Sequence, residues 1–267
     1  MPALVAAALA AGTACVAHQQ QVADESTGPF DLAAWKLTLP VDAEGGLDGA
    51  AIEVKDLLGF AEPPFFTPTG TGAVRFEVPS EGAHRGRSHY PRSELREMPG
   101  GEPAAWSLSE GGTMSATLRV EQVPVKRAGA PARMIIGQIH GQDKELVRLV
   151  YDGDTIFFIN SHAGPDDVEA KFWPVDAAGD EADIAVGERF SYLIDARGDV
   201  LTVEIHADGA VYRSVTPINA IWQADRFYFK AGVYINVNPD NGHGTAAATF
   251  YALDVGHSPG AGRGGLI

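Results

Sequence analysis

Three short segments of the 267-residue chain carry side chains able to hold anions and move protons. In Arg92-Ser93-Glu94-Leu95-Arg96, alternate positions present Arg92, Glu94 and Arg96. In Gln138-Ile139-His140, two polar groups flank an apolar one. In Tyr228-Phe229-Lys230-Ala231-Gly232-Val233-Tyr234, Tyr228, Lys230, Gly232 and Tyr234 alternate with Phe229, Ala231 and Val233. Residues two apart in a strand share a face, so each segment reads as a strand, apolar below and polar above. Half-buried antiparallel strands commonly alternate in this way. The composition of these faces is unusual, however: they gather two Arg, a Lys, a Gln, a His and two Tyr in place of the usual Ser, Thr, Glu and Asp.

The chemistry such a set suits is removal of a proton from carbon next to a carboxyl group. The carbon is weakly acidic, and neutralising the neighbouring carboxylate lets it delocalise the developing carbanion; one well-placed donor is typically worth about 10²- to 10³-fold. A tyrosine, with an ordinary pKa of about 10, becomes a base only where cations stabilise its phenolate. Lys230 and the arginines are the candidates. Arg85, Arg87, Arg92 and Arg96 all fall within 84–96, where Glu94 is the one acid, in a chain of net charge −15. That contrast focuses an anionic ligand onto one groove.

The elements that must position these groups are strands. From Phe30 onward, short alternating runs are separated by Gly, Pro and Asp-Gly signals, with little helical periodicity. Asp152-Gly153 between 145–151 and 155–160, and Asp208-Gly209 between 200–206 and 210–215, mark two-residue hairpins. Further strands are expected at 73–78, 90–98, 113–121, 133–140, 190–196, 227–235 and 249–255. Ten or so strands at this spacing predict two packed sheets. The segment 59–72, with Pro63, Pro64 and Pro68, reads as a loop within one domain.

Composition bounds the rest. With 45% hydrophobic and 21% charged residues, the chain is globular and long enough to bury about 75% of its unfolded surface. A single cysteine, Cys15, excludes an intramolecular disulfide and a cysteine-based zinc site. The acidic balance argues against a broad nucleic-acid-binding face. The apolar run 1–17 before His18-Gln19-Gln20-Gln21 resembles a secretory signal peptide, too short to span a bilayer. The expected organisation is therefore a signal peptide (1–17), an N-terminal segment (18–29), one domain (30–257) and a Gly-rich tail (258–267). Secretion and a monomer without membrane insertion are expected.

Tyr90-Pro91-Arg92-Ser93-Glu94-Leu95-Arg96-Glu97-Met98, then Gln138-Ile139-His140, then Tyr228 to Tyr234 resemble, in this order, the three signature blocks of the alginate lyases of polysaccharide lyase family 7. Trp35-Lys36-Leu37-Thr38-Leu39-Pro40 is similar to the strand that opens that domain. The resemblance implies an all-β jelly roll with a concave substrate groove, and β-elimination of the 1,4-glycosidic bond of alginate, an anionic polysaccharide, with no metal or cofactor. It implies that Arg92 and Gln138 neutralise the substrate carboxylate while His140 and Tyr234 handle protons. Arg96 and Lys230 would be subsite contacts, with Tyr228 and Asn236 also on the substrate side, and Glu94 would orient the flanking arginines by bidentate pairing. In that family an isoleucine at the position of Ile139 accompanies activity on guluronate-containing blocks, so the resemblance implies a leaning to those blocks here. The family commonly has Asn-Gln after the tyrosine of the third block; here Tyr234 is followed by Ile235-Asn236-Val237-Asn238, which shifts the amide contacts at that end.

Other groups read as structural. His243 falls in a turn-rich loop, His84 and His89 lack metal-ligand spacing, and Asp152-Gly153-Asp154 lacks the further acids of a calcium loop. Trp106, Trp173 and Trp222 read as core or rim packing. A hydrolase would need two carboxylates about 5 to 9.5 Å apart in one groove, whereas the polar faces supply Glu94 alone. A non-catalytic polyuronate-binding module, or a lyase acting on another polyuronate such as glucuronan, are the alternatives.

Overall fold

The computed structural model describes residues 31–86, 88–163 and 168–257. The expected signal peptide, Cys15 and Arg87 lie outside these residues. In chain order the strands are β1 (Trp35–Thr38), β2 (Glu53–Val54), β3 (Phe66–Pro68), β4 (Val74–Pro79), β5 (Arg92–Glu97), β6 (Gly112–Gln122), β7 (Val125–Lys126), β8 (Met134–His140) and β9 (Glu145–Asp152). They continue with β10 (Thr155–Asn160), β11 (Ala170–Phe172), β12 (Arg189–Arg197), β13 (Val200–Ala207), β14 (Ala210–Pro217), β15 (Tyr228–Ile235), β16 (Gly242–His243) and β17 (Thr245–Gly256). Helix is confined to short 3₁₀ turns among the described residues.

Two antiparallel sheets form a jelly-roll sandwich. One has the order β11-β10-β9-β8-β15-β5-β1-β2 and the other β14-β13-β12-β6-β17-β4-β3, with β16 and β7 as a separate ladder. Both expected hairpins form: β13–β14 turns on Asp208-Gly209, where Asp208 takes φ 49° and Gly209 φ 75°, whereas β9–β10 turns on Gly153-Asp154, one residue beyond the expected Asp152-Gly153, because Asp152 pairs with Thr155 and leaves Gly153, at φ 88°, to open the turn. This is the left-handed backbone that a two-residue hairpin requires. The 59–72 segment departs from the loop reading: Phe66–Pro68 pairs with β4 through Phe66 and Phe76, because the Phe66 ring is fully buried and meets Phe76 edge-on at 5.5 Å.

The apolar faces of the strands meet between the sheets. Leu95, Ile139, Phe229, Ala231 and Val233 are each at most 1% exposed and join Met114, Tyr192 and Phe250 in one core. Trp106 packs on Phe227 and Phe229 at centroid distances of 5.2 and 5.1 Å, and Trp222 is 2% exposed, so both are core residues, as read from the sequence. Truncating such a ring typically costs about 3–5 kcal/mol. This packing fixes the inward side of β5, β8 and β15, and hence presents their polar side outward.

Candidate active site

Strand register brings the three polar segments together on the open face of the eight-stranded sheet. In β5 and β15, Arg96 lies opposite Lys230, Glu94 opposite Gly232 and Arg92 opposite Tyr234. On the other side of β15, Lys230 faces Gln138 and Tyr228 faces His140 in β8. Two irregularities tune this alignment. Between Ala231 and Tyr234 the β15–β8 ladder shifts register, with Gly232 at φ 135°; a Cβ there would meet the Ser93 carbonyl oxygen at 2.6 Å, so glycine is required. The β8–β9 ladder shifts between Ile135 and Gly137, which lets both Ile135 and Gln138 face outward.

At the centre lies Glu94, 1% exposed. One carboxylate oxygen accepts from Gln138 Nε2, and the other meets Lys230 Nζ and accepts from Arg92 Nη1 at 3.0 Å. Burial opposes ionisation of this carboxyl, but the charges of Lys230 and Arg92 prevail and hold its pKa below the ordinary value. Burial likewise pushes the Lys230 ammonium down to about 8, with Glu94 opposing the shift. The expected bidentate pairing of Glu94 with both flanking arginines is corrected by this geometry. Glu94 serves Arg92 and Lys230, and it is sealed beneath the face rather than exposed along it.

Arg96 instead lies over the Tyr228 ring, 3.9 Å from its centroid, and that ring stacks on His140 at 5.0 Å. Arg96 Nε is buried with no hydrogen-bond partner. Burial raises the Tyr228 pKa, with Arg96 opposing. His140 Nδ1 lies 2.6 Å from the Gly141 carbonyl oxygen. A carbonyl can only accept, so Nδ1 carries the proton and Nε2 keeps its lone pair. Burial and Lys230 lower the His140 pKa, while the Gly141 carbonyl, Glu145 and Glu94 raise it. Nε2 lies 3.6 Å from Glu145 Oε1, so an imidazolium formed there meets a carboxylate.

Tyr234 sits at the other end of the group. The Arg92 guanidinium covers its ring at 3.8 Å, and Ser88 Oγ links the two, 3.1 Å from Arg92 Nη2 and 3.2 Å from the Tyr234 hydroxyl. The structure thus joins Arg92, Glu94, Gln138, Lys230 and Tyr234 in one network, with Arg96, Tyr228 and His140 as an adjoining stack. Gln138 is 1% exposed, so Arg92, whose side chain is 18% exposed, meets a ligand first. Asn236 is engaged elsewhere: its side-chain oxygen accepts from the Arg133 amide at 3.1 Å. Ser88 and Glu145 escaped the sequence reading because neither belongs to the alternating blocks; Glu145, directly opposite His140 in the ladder, was accessible from the hairpin register.

Arg92, Arg96 and Lys230 against the Glu94 and Glu145 carboxylates leave a surplus of one positive charge, which suits an anionic ligand. Glu145 is a second acid on this face, but Glu94 is sealed beneath it with both carboxylate oxygens engaged by Gln138, Lys230 and Arg92, so the two do not face one another across an open groove as a hydrolase pair must. A general-acid pair of the hydrolase kind is therefore not built here. Fold and site together define a jelly-roll sandwich whose open face sets a surplus of positive charge beside a histidine and tyrosines. A family model described as alginate lyase matches residues 30–257. An alginate lyase of Klebsiella pneumoniae is 32% identical over 85% of this chain and 90% of its own. A crystal structure of an alginate lyase from Klebsiella pneumoniae superposes with a TM-score of 0.74, at 31% identity, covering 88% of this chain and 98% of that one. An alginate lyase of Pseudomonas aeruginosa follows with TM-score 0.70, 30% identity and coverages of 86% and 100%. Alginate lyase A1-II', a member of polysaccharide lyase family 7, gives 0.68 and 28%, covering 86% and 96%. The chain belongs to this alginate lyase family and is a polysaccharide lyase.

Proposed function

We propose that the open face cleaves the 1,4-glycosidic bond of alginate by β-elimination, with guluronate-containing blocks preferred, and that the enzyme is exported. The observation that carries the reading is the wiring of Arg92, held by Glu94 and Ser88, over Tyr234, on the same open face as a His140 whose Nε2 lone pair is free to take a proton. Arg92, with Gln138 behind it, receives the carboxylate of the uronate whose C5 proton is removed. The pair from that C–H bond forms the C4–C5 double bond, the C4–O4 bond breaks, and O4 takes a proton. In mannuronate the C5 proton and O4 are syn, so Tyr234 serves as both base and acid. In guluronate they are anti; His140 Nε2 takes the proton, Glu145 stabilises the imidazolium, and Tyr234 protonates O4.

Variants of the related A1-II' have been crystallised with product GGG and with substrate GGMG, which supports an extended oligosaccharide in the groove. The guluronate preference rests on Ile139 in the second block. Tyr234→Phe is the test: turnover is lost while polymer binding persists. His140→Ala removes guluronate cleavage more than mannuronate cleavage, and equal loss on both overturns the divided roles.

A further inference from the structure

The register of the sheet carries the site further than the proton-handling groups. From Arg92 and Tyr234, the same cross-strand row runs through Ile135, Val150 and Phe157. Pairing of Phe158 with Phe172 sets Trp173 beside Phe157, and the two rings lie 5.5 Å apart. Ile135, Val150, Phe157 and Ile159 form a small apolar cluster on the open face, separate from the core, with Tyr234 packed against it. At its end Trp173 is 40% exposed, whereas Trp35, Trp106 and Trp222 are at most 5% exposed. Two cations flank this platform: Lys171 Nζ and Arg133 Cζ lie 5.4 and 5.3 Å from the Phe157 centroid. Arg133 and Lys126 share Asp152, at 3.0 and 3.9 Å, so the positive charge outweighs the negative here too.

We infer that Trp173, with Lys171 and Arg133, forms a remote subsite for a uronate residue of the bound polymer. The inference rests on the polyuronate-lyase reading of the same face. A pyranose ring has an apolar C–H face and, in a uronate, an anionic substituent; Trp173 offers a flat apolar surface to the first and the two cations meet the second. Four strand spacings separate β15 from β11, about 19 Å. The subsite therefore engages a chain of several residues extending from the elimination centre, which ties affinity to polymer length. The packing role expected for Trp173 from the sequence covers its contact with Phe157 but leaves its outer surface unused.

The test uses the full chain carrying Tyr234→Phe, so that polymer is bound without turnover. Acrylamide quenching of tryptophan fluorescence is measured against alginate oligosaccharides of increasing length, with binding followed separately by calorimetry. Because Trp173 is the exposed indole, its quenchable signal falls once the oligosaccharide is long enough to span the row, and Trp173→Phe removes that response. Lys171→Gln, an exposed substitution that leaves the fold intact, weakens binding of long oligosaccharides about tenfold, equivalent to about 1.4 kcal/mol, and leaves disaccharide binding unchanged. Calorimetric binding without protection of Trp173 overturns the subsite. Equal protection by a neutral glucan overturns its assignment to uronates, and absence of binding by any alginate oligosaccharide overturns the parent reading itself.

Discussion

Replacing Glu94 with Gln removes the charge at the centre of the site while keeping its shape. Glu94 is 1% exposed and the Lys230 side chain 10%, so the substitution strands a buried ammonium without its counter-ion. Losing one partner of such a pair typically costs about 3–5 kcal/mol, a large share of the roughly 5–15 kcal/mol that holds a domain folded. The cost depends on pH. Lys230 titrates at about 8 with Glu94 present, against 10.5 for a free lysine. Between those values the unfolded chain binds a proton the folded one does not, so stability rises with pH by up to about 1.4 kcal/mol per unit. Without Glu94, burial drives the Lys230 pKa lower still, and the variant starts this recovery at lower pH than the wild type. The deficit of Glu94→Gln is therefore largest near pH 5.5 and narrows towards pH 8. Urea unfolding followed by tryptophan fluorescence at the two pH values measures it. A cost below about 1 kcal/mol at pH 5.5, or a cost that grows with pH, refutes the reasoning.

Three further outcomes follow from particular contacts. Ser88→Ala unlinks Arg92 from the Tyr234 hydroxyl; a hydrogen bond involving a charged group is worth about 1.5–3 kcal/mol, so kcat falls about 10- to 100-fold, whereas Ser88→Thr keeps the hydroxyl and most of the rate. Glu145→Gln removes a charge that raises the His140 pKa, so it moves lower. The acid limb of the guluronate pH profile then shifts to lower pH, and the imidazole proton signals of His140 in NMR titrate earlier. Unchanged titration excludes the coupling. His257 Nε2 pairs with the buried Glu97; burial opposes its protonation, but the Glu97 contact prevails and raises its pKa. That contribution is complete below the ordinary histidine pKa of about 6.5 and is lost as pH rises through the raised value. Thermal unfolding of His257→Gln should thus show a weaker decline on the alkaline side than the wild type.

The long strands and the outward set were legible because period-two alternation is enforced by the sandwich core: Leu95, Ile139, Phe229, Ala231 and Val233 each face inward. The short edge strands β2, β3, β7, β11 and β16 were not, since two or three residues carry no period and their pairing depends on neighbours far away in the chain. Residue roles within the site divided along the same line. Alternation placed Glu94 on the polar side but not at its buried depth, which comes from Lys230 and Gln138 closing over it across two ladders. Ser88 reaches the site from a loop, where no local pattern marks it, and Glu145 from the start of β9, where only its pairing opposite His140 marks it. Asn236 lies just beyond β15, and the adjacent Arg133 backbone, invisible in the local sequence, engages its side chain.

The most direct measurement is the ultraviolet absorbance of the purified protein mixed separately with polymannuronate, polyguluronate and glucuronan. Elimination creates a double bond conjugated to the carboxylate, so absorbance rises on alginate blocks, faster on polyguluronate, and does not rise with Tyr234→Phe. Chain shortening and new reducing ends without that absorbance would contradict the account, since hydrolysis makes them without a double bond.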